Sequence, residues 1–199
     1  MFKKILSVAA AALISLTAFC GCGEEETSKI EQVYGLALKH VDKKDLYLIY
    51  DGNYVSDEEM DVVYNYFTSF QNCDTELFRS TQLDMYLEYL EESQSTDIDA
   101  YLEGQNKSVS SALGEGFDYV EIEVTECGDR TGDNGINDIE ELLDGIYESS
   151  GKETSFTKSV NEAKYIYCDI TATGADGGTY NLTDQLLYIF NCEDGIYIF

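Results

Sequence analysis

The sequence predicts an α+β fold in which N-terminal helices are followed by an antiparallel meander sheet. Two patterns lead to this class. Between residues 30 and 113, apolar side chains recur at spacings of three and four, which is the period of a helix with one buried face. From residue 117 onward, apolar side chains occupy alternate positions, as they do in half-buried strands. Helices that precede the strands favour an α+β arrangement over alternating β-α-β units.

The first predicted helix begins at a capping box, in which Ser28 and Glu31 each bind the backbone N–H of the other residue. Apolar residues follow at helical spacing, so we expect this helix to continue to about Lys43. Residues 45–50, with the sequence DLYLIY, fit either a short second helix or a strand. Residues 51–53, Asp-Gly-Asn, then predict a turn.

Three more helical segments follow this turn. A second Ser-x-x-Glu capping box begins at Ser56 and precedes an apolar stripe. Either Asp74 or Thr75 caps the next helical region. Residues 97–113 form the last helix of this part, and Gly114 closes it.

The rest of the chain predicts strands with one short helix among them. Residues 129–138 are expected to form a loop, and residues 139–147 a short helix. The glycine-rich residues 174–178 and the Asp-Gly pair at residues 194–195 predict turns between antiparallel strands. The predicted strands are residues 117–124, 163–173, 179–192 and 196–199.

Composition and charge exclude several classes of protein. The chain has 199 residues, and its 12 Lys and Arg against 39 Asp and Glu give a net charge of −27. Such a polyanion is repelled by phosphate backbones, so we expect no nucleic-acid partner. One His and six dispersed Cys offer little for a zinc site or a Cys-His nucleophile. We therefore predict no enzyme activity and no required cofactor.

The first 22 residues predict export from the cytoplasm. Lys3 and Lys4 form a short positive region, and the 15 uncharged residues 5–19 have the length of a signal-peptide core and are short for a membrane span. Cys22 follows the small residue Gly21. This pattern resembles a bacterial lipoprotein signal peptide, in which the Cys after a small residue is diacylated and becomes the new N-terminus.

The resemblance implies that residues 1–21 are a cleaved signal peptide and that Cys22 carries the palmitate-type lipid. Residues 22–28 are then an acidic tether, and residues 29–199 form a single α+β domain outside the cell membrane of a Gram-positive bacterium. An ordinary cleaved signal peptide and a retained membrane helix are the alternatives. Loss of residues 1–21 leaves 10 basic and 39 acidic side chains, a net charge of −29. Because anionic lipid heads repel such a domain, we expect it to stand away from the bilayer.

The two ends of the predicted domain carry a second resemblance. The sequence EQVYGLALKHVDKKDLYLIY near its start and LLYIFNCEDGIYIF at its end are similar to the first helices and the last hairpin of nuclear transport factor 2-like domains. Small lipoproteins of Firmicutes carry divergent versions of this arrangement. The resemblance implies a cystatin-like cone of helices and sheet. Family members include enzymes and non-catalytic binding modules, so the fold assigns no activity.

One loop has the spacing of a calcium site. Counted as a 12-residue EF-hand or dockerin-like loop, residues 129–140 place oxygen ligands at positions 1, 3, 5 and 9 and a Glu at position 12. An acidic, glycine-rich connection without metal is the alternative, because a chain with 39 acidic residues matches such a pattern easily by chance. The predicted ligands are Asp129, Thr131, Asp133, Asn137 and Glu140.

Cysteine and tyrosine each leave two interpretations open. Cys73, Cys127, Cys168 and Cys192 remain after processing, and they either form disulfides or pack as small apolar side chains. Cys168 lies on an alternating apolar strand face, which favours burial. The 16 Tyr either form an aromatic binding face or fill the core in place of Phe and Trp.

These observations together predict a lipid-anchored extracytoplasmic protein with a non-catalytic role. Its partner would be a protein or small-molecule ligand at the cell surface. One alternative is a calcium-binding surface module built on residues 129–140. Another is a small-molecule lyase or isomerase of the nuclear transport factor 2-like type, which would need an enclosed apolar pocket with convergent Asp and Tyr side chains.

Overall fold

The computed structural model describes residues 34–43, 46–131, 135–151 and 155–199. Its mixture of helices and one sheet confirms the α+β class that the sequence predicts. The strands are β1 (Leu38–Lys43), β2 (Leu46–Asp51), β3 (Asp118–Asp129), β4 (Val160–Thr173), β5 (Thr179–Cys192) and β6 (Ile196–Ile198). The helices are α1 (Asp57–Asn72), α2 (Thr75–Arg79), α3 (Asp84–Glu88), α4 (Ile98–Leu113) and α5 (Ile136–Ser149), with a π-helical turn at Tyr89–Ser93 and a 3₁₀ turn at Phe156–Lys158.

The described strands form one sheet whose spatial order follows the chain from β1 to β6. The predicted antiparallel meander is confirmed for β3 to β6. The β2 and β3 strands are instead parallel, because the chain returns to the same end of the sheet through the helices α1 to α4. The antiparallel β1–β2 hairpin therefore adds to the sheet beside β3 without continuing the meander.

The prediction of a helix that reaches Lys43 is wrong for residues 34–43, the part of it that the structure describes. Residues 34–37 are a turn, and the following six residues are strand β1, which pairs with β2 along its whole length. Helical spacing of apolar residues is a weak signal over so short a segment, and pairing with a neighbouring strand overrides it. A hairpin therefore precedes the helices, and residues 46–50, the described part of the ambiguous segment, follow the strand alternative. The predicted capping box at Ser28 lies outside the described residues.

The later helix boundaries follow the cap signals closely. At the start of α1, the Glu59 N–H donates to Ser56 Oγ (3.1 Å) and the Ser56 N–H donates to Glu59 Oε2 (2.7 Å), so this capping box is confirmed. Asp74, not Thr75, caps α2. Asp97 and Gly114 bound α4 as predicted.

Two layers of helix cover the sheet to different extents. On one face, α1 and α4 pack across the sheet, and fully buried Leu48, Met60 and Ile122 lie in this main core. On the other face, a second cluster that includes Leu143 of α5 and Phe190 of β5 covers only the end of the sheet formed by the start of β4, the end of β5 and β6. None of the described helices is both long and apolar enough to cross a membrane.

Candidate binding surface

One part of the sheet carries no helix among the described residues. It lies on the same face as α5, over the strands β1 to β3 and the adjoining ends of β4 and β5. We call the nine side chains that point outward there the open face. They are Asp42, Tyr47, Glu121, Thr171 and Asn181 in one row, and His40, Ile49, Glu123 and Asp169 in the next.

The strand registers place these side chains in two rows across the sheet. Tyr47 lies opposite both Asp42 and Glu121, and the row continues from Glu121 through Thr171 to Asn181. Leu48 and Ile122 alternate with these residues along β2 and β3 and point into the main core. Since successive side chains of a strand point to opposite faces, the rows must lie on the face away from α1 and α4.

The open face is acidic. Four of its nine side chains are carboxylates, and none is Lys or Arg. Glu123 lies directly opposite Asp169, and like charges in that position destabilise a sheet. Asp169 Oδ1 accepts one hydrogen bond, from the Asp184 N–H at 3.0 Å. The surface therefore presents a concentrated negative potential to solvent.

An exposed apolar patch adjoins this acidic surface at the edge of the sheet. The large hydrophobic side chains that stand out as exposed in the described chain are Leu36 (77%), Leu38 (45%) and Tyr47 (36%), all within the hairpin and the turn before it. The centre of the His40 imidazole ring lies 5.8 Å from the centre of the Tyr47 ring. Apolar side chains beside a polar rim are typical of an interaction surface.

A buried carboxylate holds this edge in place. Asp51 is fully buried, and its Oδ2 accepts the N–H groups of Gly35 (2.8 Å) and Ala37 (3.3 Å). Its Oδ1 accepts the N–H of Asn53 at 2.9 Å. Burial by itself would raise the pKa of Asp51, but these backbone donors outweigh it and hold the pKa below its ordinary value. Asp51 thereby fixes the turn that carries Leu36.

The lysines of β1 are directed away from the open face. Lys39 Nζ lies 2.5 Å from Asp57 Oδ1, and Lys43 Nζ lies 2.6 Å from Asp61 Oδ1, so both bind carboxylates of α1. The Lys39 contact and a hydrogen bond from the Tyr50 hydroxyl (2.9 Å) lower the pKa of Asp57. The positive charges of this strand are therefore engaged on the helical side of the sheet.

The structure brings only some of the predicted calcium ligands together. Asp129 Oδ1 accepts both the N–H (2.8 Å) and the hydroxyl (2.6 Å) of Thr131, which lowers the pKa of Asp129. The buried Glu140 instead forms an ion pair with Arg130, at 2.5 Å. Asn137 is exposed in the first turn of α5, which begins inside the proposed loop.

Residues 132–134, which include Asp133, lie outside the described part of the chain. Within that part, no three His, Cys, Asp or Glu side chains are grouped so that they could hold a metal ion. A calcium ion bound by Glu140 would have to displace the Arg130 guanidinium. The calcium site stays a prediction.

Cysteine and tyrosine mainly serve the core. The four described cysteines are free thiols, and all except Cys73 are buried, as expected for Cys168 on its strand face. Burial raises the pKa of the Cys127 thiol to about 12, because the thiolate would lose its hydration. Tyr50 and Tyr66 are buried in the main core, whereas Tyr47 lies on the open face. Cys22 lies outside the described residues.

An open groove of about 450 Å³ lies where α2 and the π-helical turn meet the start of α4. Arg79 and Glu91 line it and form an ion pair with each other, and Asp97 and Asp99 lie beside them. This groove is polar and open, unlike the enclosed pocket with Asp and Tyr that an isomerase would need. The lyase or isomerase alternative gains no support from it.

Comparison of the chain with models of protein families, with curated proteins and with solved structures gave no match. The candidate site therefore depends on the geometry alone. The sequence did not predict the open face as a site, although the alternation in FDYVEIEV places Glu121 and Glu123 on the solvent side of their strand. The signal that was lacking is the register, which decides that Tyr47 and Asp169 are their neighbours.

Proposed function

We propose that this chain is a lipid-anchored extracytoplasmic protein that binds a cationic partner on its open face, without catalysis. Cys22 would carry the lipid, and the acidic residues 22–28 would hold the domain away from the membrane. Within the α+β class we propose the nuclear transport factor 2-like cone, supported by α1 and α4, which pack across one face of a sheet whose register shifts bend its strands.

The observation that carries the binding proposal is the composition of the open face. It combines four carboxylates with Tyr47 and Ile49, lacks Lys and Arg, and has no described helix over it. A surface needed only for solubility would intersperse both signs of charge and would avoid a carboxylate directly opposite another. The aromatic and aliphatic side chains supply area that can be buried against a partner.

Charge also selects the class of partner. The chain carries a net charge of −27, so anionic lipids and nucleic acids are repelled, and cationic molecules are drawn to the surface. Basic polypeptide segments supply both the charge and the apolar side chains that this surface would complement. We therefore expect a basic, partly apolar polypeptide.

Binding can be tested on the full chain with a defined probe, an amidated heptapeptide that alternates Lys and Val. The triple variant Glu121→Gln, Glu123→Gln, Asp169→Asn should bind it at least about tenfold more weakly than wild type at physiological salt, because local carboxylates guide and hold the lysines. Calorimetry or fluorescence anisotropy would measure the dissociation constant.

A control variant has the same net charge as this triple variant but keeps every side chain of the open face. It carries Glu92→Gln, Glu103→Gln and Glu115→Gln, which are exposed carboxylates outside the sheet. It should bind within about twofold of wild type, since isolated surface charges at a distance are screened by salt. Equal losses in both triple variants would show that only net charge matters and would remove the open face as the site.

The anchor can be tested separately in bacterial cells. An alkyne analogue of palmitate should label the protein, and Cys22→Ala should abolish the labelling while Cys20→Ala leaves it. Detergent phase partitioning should move the Cys22→Ala variant from the detergent to the aqueous phase. Unlabelled protein that retains Met1 and stays in the cytosol would overturn the proposed location.

A further inference from the structure

We propose that the partner binds as an extended strand that adds to the sheet beside β1. This inference rests on the proposed function, because it describes how a basic polypeptide would reach the open face. In this arrangement the backbone of β1 would bind the backbone of the partner, and the open face would select the partner's side chains.

The β1 strand is one edge of the sheet, with β2 on its inner side. In an antiparallel pair, the backbone groups of alternate residues point toward the partner strand and those of the others point away. The Gly52 N–H donates to Ala37 O at 3.0 Å, so the pair formed by residues 37 and 52 is hydrogen bonded. The register then directs the backbone groups of Lys39, Val41 and Lys43 to β2.

The backbone N–H and C=O groups of Leu38, His40 and Asp42 consequently point outward. No described residue forms a hydrogen bond with them. An array of three such residues is the template that strand addition uses, because each new residue pair satisfies groups on both chains. Leu38, His40 and Asp42 are all exposed, so a strand can approach them.

The opposite edge of the sheet is closed by the chain itself. The β6 strand has only three residues, and its Ile198 N–H donates to Thr81 O at 3.0 Å. Short edges that are covered by a loop resist pairing with other chains. The difference between the two edges singles out β1, since it is six residues long and carries no such cover among the described residues.

The same three residues connect the edge to the open face. The side chains of His40 and Asp42 belong to its two rows, and Leu38 lies on the same side of β1. A strand paired with β1 would place every second side chain beside this surface, about 5 Å from its cross-strand neighbour. A Lys at one of these positions would lie near Asp42, and its long side chain could extend toward Glu121 and Glu123.

Charge argues against a second copy of this chain as the added strand. Two copies would each bring a net charge of −27, and β1 pairing would set one acidic open face beside the other. Lys39 and Lys43 could not relieve this repulsion, because they are engaged by Asp57 and Asp61. A basic strand meets no such opposition.

The experiment compares three forms of the alternating Lys and Val heptapeptide on the full chain: unmodified, N-methylated at the Lys amides, and N-methylated at the Val amides. Only one of the two sets of amides can face β1. Methylation of that set should weaken binding at least about tenfold, because each methyl removes a donor and blocks close approach, whereas the other set should bind like the parent peptide. Equal affinities for all three peptides would overturn strand addition.

A pair of protein variants gives an independent measurement. His40→Pro removes an outward N–H while the hydrogen bonds to β2 stay intact, and Pro is tolerated at such edge positions. It should bind at least about tenfold more weakly than His40→Ala, which removes the same side chain but keeps the outward N–H. Equal effects of the two substitutions would count against strand addition.

The outcomes distinguish this inference from the proposed function. If all three peptides bind equally but the open-face triple variant loses binding, strand addition is wrong and the cationic binding face remains. If the triple variant also binds like wild type, both proposals fail. Dimers of the full chain that His40→Pro dissociates, measured by light scattering without peptide, would identify a second copy as the occupant and overturn the basic strand.

Discussion

The covered and the open parts of one sheet face share the strands β4 and β5, but these strands present different side chains to each part. Along β4, Ala163 and Tyr165 lie beneath α5, whereas Asp169 and Thr171 point to the open face. The β5 strand changes in the same way, from exposed polar residues at its start to Phe190 and Cys192 in the second cluster. The change occurs where α5 stops covering the sheet, so the polarity of the open part is matched to its lack of a helix.

The two parts also differ in what they contribute to stability. Phe190 is fully buried, and its ring centre lies 5.3 Å from that of Phe156 and 5.7 Å from that of Phe199. The open face instead sets Glu123 against Asp169. Surfaces that bind partners commonly sacrifice some stability in this way. The comparison therefore separates a covered part that stabilises the fold from an open part that we propose for recognition, and three tests can challenge it.

The largest effect is expected in the covered part. Phe190→Ala should lower the free energy of unfolding by about 3–5 kcal/mol, because it leaves a cavity among packed aromatic rings. Tyr47→Ala on the open face should cost less than about 1 kcal/mol, since Tyr47 remains 36% exposed. Urea unfolding followed by circular dichroism would measure both. Similar losses for the two variants would contradict the proposed division.

An intermediate effect is expected at Asp51, which joins the open edge to the rest of the fold. Asp51→Asn places an amide group where Oδ2 accepts two N–H groups, so unfolding free energy at neutral pH should fall by about 2 kcal/mol. Because the folded pKa is lowered, the contribution of the carboxylate is complete above the unfolded pKa of about 3.9 and is lost as the pH falls through the folded value.

The pH dependence checks this explanation. The difference in unfolding free energy between wild type and Asp51→Asn should be constant near neutral pH and should shrink below about pH 4. Glu103→Gln, an exposed substitution on α4, should show no such dependence and is the matched control. A difference that grows on acidification would show that the carboxylate is not held ionised by the backbone donors.

The smallest effect is expected on the open face, with the opposite sign. Glu123→Thr removes the repulsion with Asp169 and introduces a good strand former, so it should raise unfolding free energy by about 0.2–1 kcal/mol. The same substitution should weaken binding of the Lys and Val peptide. A variant that is less stable than wild type, or that binds as well, would mean that Glu123 is not retained for recognition.

The sequence predictions that depend on neighbouring residues are correct, whereas the predicted helix that depends on distant contacts is wrong. The capping box at Ser56 and the caps at Asp74 and Asp97 act within three residues, and the structure confirms them. The helix predicted to Lys43 failed because its residues pair with β2, and Asp51 binds the turn before it. Local spacing contains no information about a carboxylate that lies 16 residues away.

The candidate site was only partly accessible from the sequence. The alternation around Glu121 and Glu123 predicted an exposed acidic strand face, but the neighbouring rows depend on registers across β1 to β4. The parallel pairing of β2 and β3 was not predicted at all. The residues that meet on the open face are spread from His40 to Asn181, so only the completed sheet brings them together.

The sequence by itself determined the α+β class, the helix caps, the C-terminal strands and the negative charge, because these depend on local periodicity, on neighbouring residues or on composition. Tertiary structure alone decided that residues 38–43 form an edge strand, that α5 covers only one end of a sheet face, and that Glu140 is held by Arg130. The physical reason is that strand pairing and helix packing are contacts between distant residues. Their free energy exists only when the whole chain has folded.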